Sequence, residues 1–146
     1  MKKHLLLAVA FLALVSPAFA QTTPLPKIIT DGFAAYQAAG SAKAVTAWLT
    51  GSPVGNATNI SSLTSYYAGL DTSEGKYLGY EYVGVITLSP SIKEYYTSTL
   101  YQNGFIFNWF EVYTVNGKDV LTSYNNGPTA ATILPASFLV KDRVKP

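Results

Sequence analysis

Two Asn-Gly dipeptides, Asn103-Gly104 and Asn116-Gly117, bracket the segment FIFNWFEVYTV at residues 105–115. Asn-Gly between β-forming runs is the strongest short-range hairpin signal, because both central residues of a type I′ turn need positive φ. Two such turns in succession predict a three-stranded antiparallel meander built from SIKEYYTSTLYQ (91–102), the bracketed segment, and KDVLTSYN (118–125). KYLGYEYVGVITLS (76–89), closed by Ser89-Pro90, has the same Tyr, Val, Ile and Thr richness and adds a fourth strand.

Counting outward from two-residue turns sets the register. Leu100 then faces Phe107, Tyr96 faces Glu111, and Trp109 faces Tyr124. One side of the meander carries Tyr96, Phe107, Trp109, Glu111, Tyr113 and Tyr124. The other carries Tyr95, Tyr101, Ile106, Phe110, Val112 and Leu121 among small polar residues. A bulge in either hairpin exchanges these sets locally. Neither side shows the Lys and Glu of a solvated sheet face. Helices cover one side and leave the other to be covered. Dimerisation with a second copy of the chain through the bare sheet face is one expected answer, and a cleft between sheet and helices for a small apolar or aromatic ligand is the other.

Ahead of the strands the period changes. Ile29, Phe33 and Tyr36 recur at helical spacing after Pro26, and the pattern breaks at Gly40. Ser41 is expected to cap a second helix with Val45, Trp48 and Leu49, stopped by Gly51 and Pro53. Ile60, Leu63, Tyr66 or Tyr67, and Leu70 form a third stripe, expected to end near Gly69. AATILP and ASFLV add a closing segment, followed by a charged tail.

Residues 1–20 read as a cleaved secretory signal. Lys2 and Lys3 precede the apolar run LLLAVAFLALV, which is too short to span a bilayer, and Ala18 and Ala20 suit signal peptidase. No cysteine follows for a lipoprotein anchor, and no later segment is apolar enough to span a membrane. The expected location is periplasmic or secreted, with one domain over residues 21–146.

Without Lys2 and Lys3 the net charge of +2 falls to zero, so nucleic acid is not an expected partner. The only histidine, His4, leaves with the signal, and there is no cysteine. Disulfides, thiol nucleophiles, Cys or His metal ligands and His-based acid–base chemistry are thereby excluded. No cofactor is expected.

The helix run GFAAYQAAGSAKAVTAWLTGSP, a third helix, and then EGKYLGYEYVGVITLSPSIKEYYTSTLYQNGFIFNWFEVYTVNGKDVLTSYN resemble the nuclear transport factor 2-like superfamily. The resemblance implies an α+β fold: three N-terminal helices packed on a curved antiparallel sheet of about four strands, forming a cone. Members include isomerases, dehydratases and proteins that bind without catalysis. Enzymes of the superfamily usually place a His–Asp pair, or an Asp base with a Tyr acid, inside the cone, and this chain has no histidine to supply the former.

Glu111, among Trp109, Tyr96 and Tyr113, is the one carboxylate placed to act as a desolvated base with a Tyr acid. The plainer reading puts it at a rim or seam, bonded to a Tyr hydroxyl or to Thr122. Glu81 and Glu94 share its face if the parity of the Ser89-Pro90-Ser91 turn allows, and three carboxylates suit a hard cation such as calcium. Tyr36 and Trp48 sit at core spacing on their helices and are also positioned to line a pocket mouth. The expected role is a non-catalytic, homodimeric binding or interaction module. A His-free isomerase or hydro-lyase using Glu111, and an accessory subunit of an envelope complex, are the alternatives.

Overall fold

A computed structural model describes residues 25–139. The expected signal and the charged tail lie outside the described residues. The chain is α+β: α1 (Lys27–Ala39), α2 (Ser41–Leu49) and α3 (Ala57–Ser73) precede β1 (Tyr77–Ser89), β2 (Ile92–Tyr101), β3 (Phe105–Val115) and β4 (Lys118–Gly127). Two single-turn helices follow, α4 (Ala130–Ile133) and α5 (Ala136–Leu139). The strands form one open antiparallel sheet in the order β1-β2-β3-β4. No helix among the described residues is long and apolar enough to cross a membrane.

Pro26 stands at the N-cap of α1, and Gly40 ends that helix with φ 84°. Gly40, rather than Ser41, is the N-cap of α2; Ser41 is the first helical residue and is buried. Asn56 caps α3, its Oδ1 accepting from the Asn59 amide at 2.9 Å. The helix runs past Gly69 to Ser73, since Gly69 does not take the positive φ of a helix-ending glycine.

The two Asn-Gly pairs behave differently. Asn116 (φ 51°) and Gly117 (φ 72°) adopt the positive dihedrals of a tight turn, and Val115 pairs with Lys118 as counted. At Asn103-Gly104 no positive φ occurs. The amides of Gln102 and Asn103 donate instead to the carbonyls of Lys76 and Glu74, each at 2.9 Å, which ties this turn to the α3–β1 connection. Leu100 consequently pairs with Phe105, Tyr96 with Trp109, and Glu94 with Glu111. The two-residue shift corrects the partners but preserves the faces, since side chains alternate with period two.

A bulge at Thr122 has the opposite effect. Glu111 pairs with Ser123 and Phe110 with Tyr124, so Tyr124 moves from the Trp109 face to the Phe110 face. β1 carries three further register shifts, which leave Leu78, Val83 and Leu88 without partners on β2. Leu78 and Leu88 are accordingly among the most exposed apolar side chains. Such bulges twist an edge strand away from pairing with another chain.

The helices lie on the Tyr95–Phe110 face. Phe33 stacks on Tyr80 at 4.1 Å and meets Trp48 and Phe110 edge-on. Tyr36 stacks on Tyr77, also at 4.1 Å, and Trp48 lies over Tyr124. Ile29, Val45, Tyr67, Ile106, Val112 and Leu121 complete the core. The opposite, outer face is partly covered by the chain's own closing segment. Phe138 of α5 packs edge-on against Tyr96 at 5.2 Å, seated over Gly84, where a Cβ would stand 2.5 Å from the ring.

Candidate functional site

The residues singled out from the sequence fall into two separate places. On the outer face, Tyr96 is buried and its hydroxyl donates to Glu94 Oε2 at 2.6 Å. Glu111 is half-buried and accepts from Thr122 Oγ1 at 2.7 Å through Oε1. Phe107 is half-buried with its ring edge-on to Phe105, and Tyr113 is exposed. The Trp109 indole N–H is enclosed and has no hydrogen-bond acceptor. Glu81, Glu94 and Glu111 all belong to this face by register, and no group of three potential metal ligands occurs among the described residues.

Tyr36, Trp48 and Tyr124 lie on the inner side. Trp48 is fully buried, and its Nε1 donates to the Ile29 carbonyl at 3.1 Å. Tyr36 is also a core residue; its hydroxyl donates to Asp71 at 2.7 Å and lies 3.1 Å from the Tyr101 hydroxyl. Sequence reasoning passed over the polar centre of this side. Asn108, fully buried on β3, accepts from Tyr67 at 2.8 Å and from Tyr124 at 3.0 Å through Oδ1. Its Nδ2 donates to Thr97 at 3.1 Å and to Thr99 at 2.8 Å. The Tyr67 and Tyr124 hydroxyls also touch each other, and Asn126 donates to Tyr124. Every polar atom of Asn108 is used, as a buried amide requires. The alternation of Thr97, Thr99 and Asn108 with apolar neighbours on one face was the signal available for it.

Burial holds the phenols neutral. It raises Tyr67 well above the ordinary tyrosine range and is also the largest cause of the rise at Tyr36, Tyr101 and Tyr124. Hydrogen bonding to Tyr101 and Asp71 adds to the rise at Tyr36. A phenol whose folded pKa lies above its unfolded one lends stability that is complete below about pH 10 and is lost as pH rises further. Urea midpoints should hold steady to about pH 9.5 and then fall. Each tyrosine that stays protonated in the folded state contributes a slope of about 1.4 kcal/mol per pH unit. A flat profile to pH 11 would show that these hydroxyls titrate alike in both states.

Beside this network a cleft of about 360 Å³ opens between α3, the α2–α3 connection and β4. Leu49, Val54, Leu63 and Tyr66 give it apolar walls; Asn59, Ser62, Ser123 and Tyr124 supply polar atoms. None of the lining residues is a carboxylate or a cation. Asn59 is held in place by donating Nδ2 to the Val54 carbonyl at 2.8 Å. Tyr124 is thus shared between the cleft and the buried network, and the Thr122 bulge is what turns it there.

The cleft brings together one sequence-predicted residue, Tyr124, with seven that the sequence did not mark as a site. Glu111, Trp109 and Tyr96 are on the other side of the sheet and cannot reach it. Concave, mostly apolar and carrying a few fixed polar groups, the cleft has the composition of a small-molecule site. No family model, no curated protein and no solved structure matches the chain.

Proposed function

We propose that the chain is a non-catalytic binding module that takes the uncharged, apolar or aromatic body of a small molecule in the α3–β4 cleft. The observation that carries this reading is the lining itself: apolar walls, hydroxyl and amide groups, and no ionic side chain. A charged group placed in this cleft would lose its hydration without a counter-charge. The interior acid–base candidates are already consumed, since the Tyr67, Tyr124 and Asn108 groups bond one another. Glu111 gives no support to an isomerase, because its carboxylate faces away from the cleft and accepts from Thr122.

The element order, three helices and then a four-stranded antiparallel meander, supports a nuclear transport factor 2-like cone as the fold behind this module. The N-terminal sequence supports a periplasmic or secreted location. For a homodimer through the outer face, α5 covers Tyr96, while Phe105 and Tyr113 stay 51% and 39% exposed.

Titrating indole, p-cresol and cyclohexanol into labelled protein tests the reading by NMR. Shift changes should centre on Leu49, Val54 and Tyr124. Ser62→Trp, on the exposed side of α3, should fill the cleft and abolish them while changing stability by no more than about 0.5 kcal/mol. Shifts centred on the outer face, or unaffected by Ser62→Trp, would overturn it.

A further inference from the structure

A second cleft, of about 340 Å³, is lined by Tyr66, Leu70, Glu74, Phe105, Ile106 and Pro128, together with Gly104. Tyr66 belongs to both clefts. Along α3 the residues that line the two form a single stripe: Asn59, Ser62, Leu63 and Tyr66, then Tyr66, Leu70 and Glu74 at successive three- and four-residue steps. At 1.5 Å per residue the stripe from Asn59 to Glu74 runs about 22 Å. The opposing wall is supplied by Ser123 and Tyr124 of β4 at the first cleft and by Pro128, just after β4, with Phe105 and Ile106 at the start of β3 at the second.

We infer that the two clefts are one groove divided by the Tyr66 ring, and that its ligand is an elongated amphiphile with an aliphatic body and a cationic end placed at Glu74. This deepens the reading of the α3–β4 cleft and rests on it.

Tyr66 is suited to divide the groove. It is 38% exposed, and its ring meets Tyr67 edge-on at 5.8 Å rather than being locked into the core. A rotamer change of a partly exposed side chain is fast and inexpensive. The walls on both sides of it are apolar, with Leu63 and Leu49 on one and Leu70 and Ile106 on the other. An alkyl chain threading past the ring would bury methylenes along its whole length.

Glu74 sets the polarity of the groove. It is the one charged residue lining either cleft, and it stands at the end of the stripe as the C-cap of α3. The one ion pair among the described residues is Lys27 with Asp31; Glu74 makes none there and accepts a hydrogen bond from Ser73 Oγ at 3.3 Å. The carboxylate is held against Gly104, where a Cβ would stand 2.3 Å from Oε2. A glycine at this point lets the acid lie at the mouth of the second cleft. An ammonium or guanidinium group on the ligand would meet it there, while an anionic headgroup would be repelled.

Calorimetry with hexylamine, dodecylamine and dodecanoate below their aggregation concentrations tests the inference, with p-cresol as the short neutral probe. Dodecylamine should bind roughly tenfold or more tightly than hexylamine, because the added methylenes reach the second cleft. Tyr66→Ala should raise the affinity for dodecylamine relative to p-cresol, because it opens the passage between the clefts while taking an apolar wall from the first. Glu74→Gln should remove the preference for dodecylamine over dodecanoate. Urea midpoints of both variants confirm that they are folded.

If p-cresol binds but chain length and Tyr66→Ala have no effect, the clefts are separate and the groove is overturned while the α3–β4 site stands. If amine and carboxylate bind equally to the unaltered protein, the cationic end is overturned. Failure of every probe, p-cresol included, overturns both readings together.

Discussion

Asn108→Leu should destabilise the protein by about 3 kcal/mol, although the replacement is apolar, close in size and placed in a core. Asn108 is fully buried and joins four hydroxyls from three elements: Tyr67 on α3, Thr97 and Thr99 on β2, and Tyr124 on β4. Leucine would leave the two threonine hydroxyls without the amide that donates to them. Tyr67 and Tyr124 would lose their common acceptor. A buried polar group stripped of its partner costs about 1–3 kcal/mol, whereas leucine regains only part of that through burial. The Tyr67–Tyr124 contact and the Asn126 bond to Tyr124 soften the loss on the helix side. Adding Thr97→Val and Thr99→Val to Asn108→Leu should therefore restore part of the stability, because the orphaned groups are removed with their partner. Urea denaturation with an unchanged m-value gives the comparison. A loss below about 1 kcal/mol for Asn108→Leu would show that water replaces the amide and that the network is not a structural tie. The same substitution should also disturb the cleft, since Tyr124 lines it.

How much of this was readable in the sequence depended on how far apart the interacting groups lie. The spacing of Ile29, Phe33 and Tyr36, and of Val45, Trp48 and Leu49, is set by local helical geometry, so α1 and α2 were legible with their core residues. Asn116-Gly117 was legible because a type I′ turn is a property of two residues. Asn103-Gly104 misled because the amides of Gln102 and Asn103 are claimed by Lys76 and Glu74, nearly thirty residues earlier in the chain, and no local rule reports that.

The two faces of the meander could be listed but not assigned. Both are rich in aromatics, and only the packed helices distinguish them. Tyr124 shows the limit most clearly. A single bulge at Thr122 carries it from the outer face to the cleft, and nothing in KDVLTSYN announces a bulge. The adjacent pair Tyr66 and Tyr67 left the third helix's inward position open. Tyr67 enters the core and Tyr66 lines the cleft, a choice made by how α3 packs on the rest of the chain. The cleft draws on α2, α3 and β4, segments brought together by tertiary packing alone, and so left no motif to find.

Trp48→Ala should cost about 4 kcal/mol, and it should reverse the sign of a second substitution, Gly32→Ala. Trp48 is the largest fully buried side chain and touches Phe33, Tyr67, Phe110 and Tyr124, so its removal opens a cavity at the junction of α1, α2, α3 and the sheet. It also frees the Ile29 carbonyl that accepts from its indole N–H. Gly32, buried on α1, is the seat of the ring: a Cβ there would stand 1.8 Å from Trp48 Nε1. Gly32→Ala alone must therefore push the indole out of place or separate α1 from α2, at a cost of about 3 kcal/mol. In the Trp48→Ala background the obstruction is gone. The added methyl then points into the cavity, and alanine is favoured over glycine within a helix by about 1 kcal/mol. Gly32→Ala should accordingly stabilise that variant. Because one of the two tryptophans is removed, the four proteins of the cycle are best compared by far-UV circular dichroism in urea. Additive losses across the cycle would mean that the glycine serves the helix crossing rather than the indole. A change of sign would establish that a missing side chain on α1 is what admits the largest one on α2.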